Sequence, residues 1–388
     1  MTINLKLAPQ AERAPSSPVK LTQIKKPRYG RALEDLVPGQ VFHHPRGLTI
    51  TEDLILLFSS DFFETNPLYR NREFARAAGY DRLPASPQLV FNVVLSLGVQ
   101  NDSEQAIANL GYYDVQFLRP VMAGDTIRSA TRVLDRRERG AGKPGIAHVR
   151  TLGINQHEEV VLQYDRKILV GPSGRPPTET PDPEGGEFPE VHEPVTHIPR
   201  VRGKLPLDLT GRHTYFEDFA VGDVIVHFNG RTITDEHFAW TYRVGNTHPL
   251  HFDRLYSTSR KGPMSGEPIV YGGLVFAWLN GLASRDTTEN ALWELGFTEG
   301  YHTQPSFAGD TIYAISRVLH KDEVAQFEGT GVVTFQLIGV KNVLPGDAID
   351  KHGADLFLKE NDKKDAGKEK IDNKIFEIER RVLIRKHP

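Results

Sequence analysis

The stretch Thr241-Tyr-Arg-Val-Gly-Asn-Thr-His-Pro-Leu-His-Phe-Asp253 places one amide and two imidazoles within six residues. It follows the helix-start signal Thr234-Asp235-Glu236 and an apolar run over 238–244, so we expect a helix to end here. Pro249 then fixes a turn that carries the second imidazole out of the helix. Titratable groups on a loop at a helix end are a common arrangement for acid–base chemistry.

An earlier part of the chain repeats this stretch and its surroundings. His248-Pro249-Leu250-His251 matches Asn66-Pro67-Leu68-Tyr69, and Gly309-Asp310-Thr311-Ile312 matches Gly124-Asp125-Thr126-Ile127. The offset between matched positions stays at about 182 to 185 residues. Two copies of about 170 residues are too long for a solenoid unit, so the pattern indicates a duplicated domain.

Composition shifts along the chain predict four segments. Residues 1–30 mix Pro, Ala, Ser and Lys without periodicity, which is typical of a flexible leader. Residues 31–171 and 212–388 are the two copies, and we expect the second to be the catalytic one. Residues 172–211 are rich in proline and acidic residues, which favours an extended linker over the surface.

Each copy predicts the same order of elements. A strand, a helix and a short helix precede one long apolar helix, which begins at Ser86-Pro87 in the first copy and near Val270-Tyr271-Gly272-Gly273 in the second. Four or five antiparallel strands follow, identified by their period of two. A sheet wrapped around a fully apolar helix is the plan of a hot-dog fold, so we expect an α+β, duplicated (double) hot-dog fold with one continuous sheet. Two independent α+β domains are the alternative.

The charge run Lys359–Lys370 is expected to be a solvated loop.

The bulk numbers exclude several classes of function. A net charge of −3 provides no basic field for nucleic acid or a membrane surface. No apolar run approaches the length that spans a bilayer. The absence of cysteine excludes disulfides, thiolate metal sites and cysteine nucleophiles. The first residues lack the apolar core of a signal peptide, so we expect a cytoplasmic protein.

The residues themselves point to a site in the second copy. His251 lies five residues after Asn246, and a Gly-Gly pair at the start of the long helix follows about twenty residues later. Gly272 there would present a backbone N–H at a helix N-terminus, which suits a carbonyl oxygen that gains negative charge. A structural hydrogen-bonding histidine is the alternative. A zinc site of His248, His251 and Asp253 is not expected, because no helix places the three on one face.

Several blocks of this sequence resemble the MaoC-type, or R-specific enoyl-CoA, hydratases. They are His248-Pro249-Leu250-His251, Ile269–Leu274 and Pro305–Thr311. The segments Ala106–Tyr112, Gly153–Gln156 and His302–Gly309 resemble the mesaconyl-CoA hydratases, also called β-methylmalyl-CoA dehydratases. The general motif has Asp where this chain has Asn246, and His where it has Tyr271. The first copy has Glu64 and Tyr69 at the positions of Asn246 and His251, with Asp61 nearby.

The resemblance implies a hydro-lyase that hydrates an α,β-unsaturated acyl-CoA, above all mesaconyl-CoA to β-methylmalyl-CoA. It assigns catalysis to Asn246, His251 and Gly272, and substrate binding to Tyr271, Gly273, His248, Arg243 and His302. For the second carboxylate of such a substrate, His302 and Arg243 are the candidate partners and Arg119 is a further one. No cofactor is expected, with coenzyme A present only as part of the substrate, and no metal.

Three other functions stay open at this point. An R-specific hydratase of fatty acyl chains would need a long apolar tunnel. A non-catalytic acyl-CoA-binding hot-dog protein would explain why Asp is missing from both copies. A thioesterase would release free thiol, which a hydratase does not. A homodimer is also expected, because hot-dog sheets pair.

Overall fold

The computed structural model describes residues 22, 24–174, 185–202, 204–260, 265–324 and 326–388. The first half contains strands β1 (Val41–His43), β2 (Leu48–Thr49), β3 (Ala106–Phe117), β4 (Thr126–Arg137), β5 (Gly145–Ile154) and β6 (Val160–Val170), and helices α1 (Glu52–Asp61), α2 (Arg72–Ala77) and α3 (Pro87–Gly98). The second half contains strands β7 (Val224–Thr232), β8 (Ala291–His302), β9 (Thr311–Glu323), β10 (Thr330–Lys341) and β11 (Lys374–Arg385), and helices α4 (Ala239–Arg243), α5 (Arg254–Ser259), α6 (Gly272–Thr287) and α7 (Pro345–His352).

The described strands form one 11-stranded sheet with the order β1-β4-β5-β6-β3-β8-β11-β10-β9-β7, and β2 pairs with β4 beside this path. The two halves join where β3 pairs antiparallel with β8, with Tyr112 opposite Gly300 and Val115 opposite Phe297. All the described strand pairs in the sheet are antiparallel. The predicted continuous sheet is therefore confirmed.

The two long helices, α3 and α6, pack against this sheet. Ser86 caps α3, because its side chain accepts the Leu89 N–H at 3.3 Å. Every residue of α3 is buried, as its apolar sequence predicted. The helices contact each other, and the Phe91 and Phe276 rings are 6.1 Å apart within one core that includes residues of both halves. Because residues of both halves share this core, the halves are not two independent domains.

The segment between β10 and β11 differs from its prediction at two residues. Residues 359–370 were expected to be a solvated loop, yet Glu360 and Lys363 are buried and form an ion pair of 2.6 Å. Lys374, also buried, pairs with Glu377 at 2.8 Å. Residues 361, 362 and 364–370 are exposed, as predicted for a solvated loop. The prediction missed only the buried members of the charge run, which form compensated ion pairs inside the protein.

The linker and leader are described only in part. From residue 185 onward the linker lies against the first half, where the Val191 N–H donates to Gln163 Oε1 at 2.9 Å and the His197 N–H to the Leu118 carbonyl at 2.8 Å. Residues 1–21, 23, 175–184 and 203 of the predicted leader and linker lie outside the described residues. In the described part of the chain, no helix combines the length and apolarity that crossing a membrane requires.

Candidate active site

A cavity of about 460 Å³ lies between the two halves, and we call it the open site. The second half contributes the turn that contains Asn246 and His251, and Gly272 at the start of α6. The first half contributes residues of α3, the beginning of β3 and Arg166 of β6. Because each half supplies walls, neither copy forms this cavity alone.

The turn is held by hydrogen bonds that fix its amide and its first imidazole. Asn246 is buried, and its Oδ1 accepts the His248 N–H at 2.9 Å. His248 Nδ1 accepts the Leu250 N–H at 3.2 Å, so Nε2 carries the proton and donates to the Ala106 carbonyl at 3.4 Å. Both nitrogens of His248 are thus engaged with the backbone, and its structural effect is to fix the turn against β3.

His251 is held differently and keeps one nitrogen available. Its Nδ1–H donates to the Ile269 carbonyl at 3.0 Å, which leaves the lone pair on Nε2. Burial, together with the neighbouring His248 ring, lowers the pKa of His251 to about 3. The imidazole is therefore neutral at pH 7 and presents an acceptor nitrogen in the cavity wall.

Gly272 is the first residue of α6, where backbone N–H groups have no partner within the helix. The Tyr271 carbonyl accepts the N–H groups of Leu274 and Val275, whereas none of the hydrogen bonds among the described residues uses the Gly272 N–H. A Cβ at Gly272 would stand 2.6 Å from His302 Nε2, so only glycine fits without movement of that ring. The arrangement leaves one unpaired donor at a helix N-terminus facing the cavity.

The remaining predicted binding residues surround this donor. His302 lines the cavity, lies 3.3 Å from the Tyr112 hydroxyl through Nε2, and has a pKa lowered by burial to about 4. Tyr271 is buried, and its hydroxyl accepts the Ser96 Oγ–H at 3.3 Å. Gly273 takes part through its backbone, because its carbonyl accepts the Asn92 amide at 3.1 Å.

Two arginines and one acid that were singled out lie elsewhere. Arg243, at the end of α4, is exposed and stacks its guanidinium 5.1 Å from the centre of the Trp240 ring. It does not line the cavity, and its assignment to substrate binding stays a prediction. Arg119 pairs with Glu159 at 3.5 Å and is also not part of the cavity wall. Asp253 caps α5 by accepting the Tyr256 N–H at 2.9 Å.

Arg166 is the site residue that the sequence analysis missed. It is 4% exposed, lines the cavity from β6, and donates through Nη2 to Asp102 at 3.1 Å. The repeat itself contains a signal, because Arg166 of β6 and Arg380 of β11 stand at matched positions, and both are buried. The signal was passed over because strand periodicity alone does not show which charged residue faces inward.

The matching place beside the turn of the first half is also lined by both halves but is almost closed, and we call it the filled site. It encloses about 20 Å³ and is lined by Glu64, Tyr69, Pro87, Glu294 and Arg380, among others. Asp61, the other acid of this region, accepts the Trp240 indole N–H at 2.7 Å. Only the open site therefore has room for a ligand.

The fold and the open site define a MaoC-like double hot-dog protein with one usable site. Residues 19–343 match the sequence profile of the mesaconyl-CoA hydratases. The chain belongs to the mesaconyl-CoA hydratase family.

Three relatives illustrate this membership. The β-methylmalyl-CoA dehydratase of Chloroflexus aurantiacus is 34% identical over 81% of this chain and 89% of its own. The structure of a MaoC domain protein dehydratase from the same organism superposes with a TM-score of 0.80 at 29% identity, covering 94% of this chain and all of the other. A Mycobacterium tuberculosis protein described as a double hot-dog fold gives a TM-score of 0.66 at 20% identity, over 91% and 98% of the chains, which supports the fold alone.

Proposed function

We propose that this protein is a hydro-lyase that reversibly hydrates an α,β-unsaturated acyl-CoA, with mesaconyl-CoA giving β-methylmalyl-CoA. The observation that carries the proposal is one cavity lined by a neutral imidazole with a bare Nε2, on His251, and by an unpaired helix N-terminal N–H, on Gly272. These are the base and the oxyanion donor that addition of water to an enoyl thioester needs. The names of the relatives supply the substrate.

The reaction begins at the thioester carbonyl. The Gly272 N–H donates to the carbonyl oxygen, which draws electrons from the conjugated double bond and makes the β-carbon electrophilic. His251 Nε2 accepts a proton from water while the water oxygen bonds to the β-carbon. The electron pair of the double bond moves to the α-carbon and carbonyl oxygen as an enolate, which the Gly272 N–H stabilises.

The second step returns the proton. His251 gives it to the α-carbon, the thioester carbonyl re-forms, and the imidazole is neutral again. One base handles both transfers, so the water proton and hydroxyl add to the same face of the double bond. Because burial lowers the pKa of His251 to about 3, the neutral form of the imidazole is the favoured one, and the second step restores it.

Asn246 takes part as a donor and not as a base. A side-chain amide has no atom basic enough to take a proton at neutral pH, and its Oδ1 already accepts the His248 N–H. Its Nδ2 is the group left for the substrate or the attacking water. We therefore assign Asn246 the role of orienting the water by a hydrogen bond to the water oxygen.

The scheme uses side chains, backbone and the coenzyme A thioester of the substrate, so we propose that no further cofactor is needed. Dialysis against a strong chelator should leave the rate unchanged. A loss of activity that zinc or magnesium restores would contradict this part of the proposal.

The direct test follows the enoyl-thioester absorbance with mesaconyl-CoA, with crotonyl-CoA alongside and an assay for free thiol. We expect the band to disappear with mesaconyl-CoA and no thiol to form. Loss of the band with crotonyl-CoA alone would indicate a general enoyl-CoA hydratase. Thiol release would indicate a thioesterase, and binding of either thioester without change would indicate a non-catalytic binding protein.

We also propose that two chains associate as a homodimer. The edge strand β7 leaves Phe228 83% exposed and Val224 43% exposed, which supports an apolar contact there. Sedimentation equilibrium should give twice the chain mass of 43.5 kDa, and a single-chain mass would contradict the proposal. The cytoplasmic location stays a prediction, which cell fractionation tests.

A further inference from the structure

Arg166 is a buried cation in the open site for which the hydration scheme has no use. Its guanidinium donates to Asp102 Oδ2 through Nη2 at 3.1 Å. Its Nε is also buried, but it has no hydrogen-bond partner among the described residues. An unsatisfied buried donor on a charged group is costly, which makes a ligand for that donor the natural explanation.

The duplication shows what such a ligand looks like. The two halves pair the corresponding strands in the same register, so each residue near Arg166 has a counterpart near Arg380. The cross-strand pairs are Tyr112–Arg166 and Asn109–Ile168 in the first half, and Phe297–Arg380 and Glu294–Val382 in the second. Asn109 therefore holds the position in the open site that Glu294 holds in the filled site.

In the filled site this position supplies a carboxylate to the arginine. Arg380 donates through Nε to Glu294 Oε2 at 3.2 Å and Oε1 at 3.4 Å, and Nη2 joins the same carboxylate. In the open site the neutral amide of Asn109 replaces that carboxylate, and the Nε that Glu294 would have engaged is the atom left unpaired. The cavity thus retains the arginine but lacks its carboxylate.

We propose that Arg166 binds the second carboxylate of the substrate, in the place that the Glu294 carboxylate occupies in the filled site. The inference rests on the proposed function and narrows it to short α,β-unsaturated dicarboxylic acids joined to coenzyme A through one carboxyl. Arg166 lies opposite Tyr112 in the β3–β6 pair, and the Tyr112 hydroxyl contacts His302, which lines the cavity with Gly272. The carboxylate is thereby placed in the same small cavity as the thioester carbonyl.

Asp102 compensates part of the charge of Arg166 inside the protein. Its Oδ2 accepts from Arg166 and from the Thr131 hydroxyl at 3.4 Å, and it lies 3.7 Å from His44 Nε2. These contacts hold the carboxylate on the Nη2 side of the guanidinium. The Nε side remains for the substrate, which can add a charge-assisted hydrogen bond there.

The sharpest test copies the filled site into the open one. In Asn109→Glu the new carboxylate should pair with Arg166 as Glu294 pairs with Arg380. We expect kcat/KM for mesaconyl-CoA to fall about 10²-fold, mainly through KM, because a charged group of the substrate loses its partner. Asn109→Gln adds the same volume without the charge, so the difference between the two variants isolates the carboxylate.

A neutral substrate separates lost recognition from a damaged cavity. Crotonyl-CoA has a methyl group where fumaryl-CoA has a carboxylate, and either its turnover or its inhibition constant against mesaconyl-CoA can be measured. Asn109→Glu should weaken the binding of fumaryl-CoA and mesaconyl-CoA about 10²-fold more than it weakens the binding of crotonyl-CoA. Arg166→Gln should also reduce the preference for the two diacid thioesters over crotonyl-CoA. Thermal unfolding must first show that this variant is folded. If it is not folded, the test of the carboxylate contact rests on Asn109→Glu alone.

Two failures are distinguishable. If the wild-type protein does not hydrate mesaconyl-CoA or fumaryl-CoA, the proposed function is wrong. If it does, and Asn109→Glu keeps the ratio of diacid to crotonyl-CoA binding within about threefold of that in Asn109→Gln, the proposed function stands and the role of Arg166 is wrong.

Discussion

The open and filled sites are two versions of one arrangement, and they differ at a few matched positions. Both turns begin with a cap: His248 Nδ1 accepts the Leu250 N–H, and Asn66 Oδ1 accepts the Leu68 N–H at 2.9 Å. Both are followed by a short 3₁₀ helix that starts at proline. Yet one encloses about 460 Å³ and the other about 20 Å³. The backbone therefore builds a site twice, and the side chains decide which one is used.

The filled site lacks each of the three groups that the open site presents: the helix N-terminal N–H, the imidazole and the amide. Pro87 stands where Gly272 offers its N–H, so no oxyanion donor exists there. Tyr69 replaces His251, and burial raises the pKa of its hydroxyl well above the usual value, so it is no base at neutral pH. Glu64 replaces Asn246, and burial raises its pKa to about 7. The difference teaches that two halves with one backbone plan can differ in their chemical groups, because this N–H and this imidazole occur together only in the open site of the two.

The strongest test of the comparison removes the base. His251→Ala should lower kcat/KM for mesaconyl-CoA by about 10²–10⁴-fold, because no other group takes the proton from water. Steady-state hydration followed by absorbance measures it. The matched control is Tyr69→Phe in the filled site, which should leave the rate within about twofold. Activity of His251→Ala within a few-fold of wild type would remove His251 from the mechanism.

The oxyanion donor can be tested by exchanging residues between the sites. Gly272→Pro copies Pro87, removes the N–H and leaves a residue that helix starts accept. Gly272→Ala brings the same Cβ close to His302 but keeps the N–H. We expect the proline variant to be about 10²–10³-fold slower than the alanine variant in kcat. Equal rates for the two would show that the N–H is not used.

Substitution of Asn246 should lower the rate less than the two changes above. Asn246→Asp keeps an oxygen for the His248 N–H but replaces the Nδ2 donor with an acceptor. We expect kcat to fall about tenfold, the value of one hydrogen bond to the reacting water. Kinetics at pH 7 and 8 measure the change, since the new carboxyl would be buried as Glu64 is. A faster variant would mean that a second base helps, as in the general motif with Asp at this position.

The smallest expected effect concerns stability against pH, and it has opposite signs at the two sites. His251, with a folded pKa near 3 against 6.5 unfolded, contributes stability above pH 6.5 that is lost as pH falls toward 3. Glu64, with a folded pKa near 7 against 4.5, adds stability as pH falls from 7 toward 4.5. Each group changes the free energy of unfolding by about 1–2 kcal/mol between pH 7.5 and 5.5, in opposite directions.

Urea unfolding of two variants at these pH values separates the contributions. His251→Gln should lose less free energy of unfolding on acidification than the wild type, and Glu64→Gln should lose more. Parallel curves for all three proteins would show that neither group titrates as its burial requires.

Much of this architecture was predictable because it depends on local patterns. The duplication follows from matched segments such as His248–His251 and Asn66–Tyr69, and the cap Ser86 with Pro87 marked the start of α3. The turn was predictable for the same reason, since a proline next to capping side chains fixes it. Asn246, His251 and Gly272 were brought together as expected, while their roles in catalysis remain predictions.

The cation was not predictable, because its position depends on the other half of the molecule. Arg243 is nearer to the turn in sequence, yet it ends a short helix at the surface and packs on Trp240. Arg166 is about eighty residues away from the turn in sequence, and only strand pairing and the shared core bring it to the cavity. The burial of Lys363 was missed for the same reason, since charge in a sequence does not show which groups will find compensation inside.

The sequence by itself determined a duplicated domain, its long apolar helices and a turn that carries an amide and two imidazoles. These are encoded in short-range periodicity, capping and proline geometry. Only the tertiary structure decided which copy keeps a cavity and which arginine faces it. Those outcomes depend on contacts between residues far apart in the chain, where the exchange of Glu294 for Asn109 at matched positions leaves one guanidinium paired and the other with an unpaired Nε.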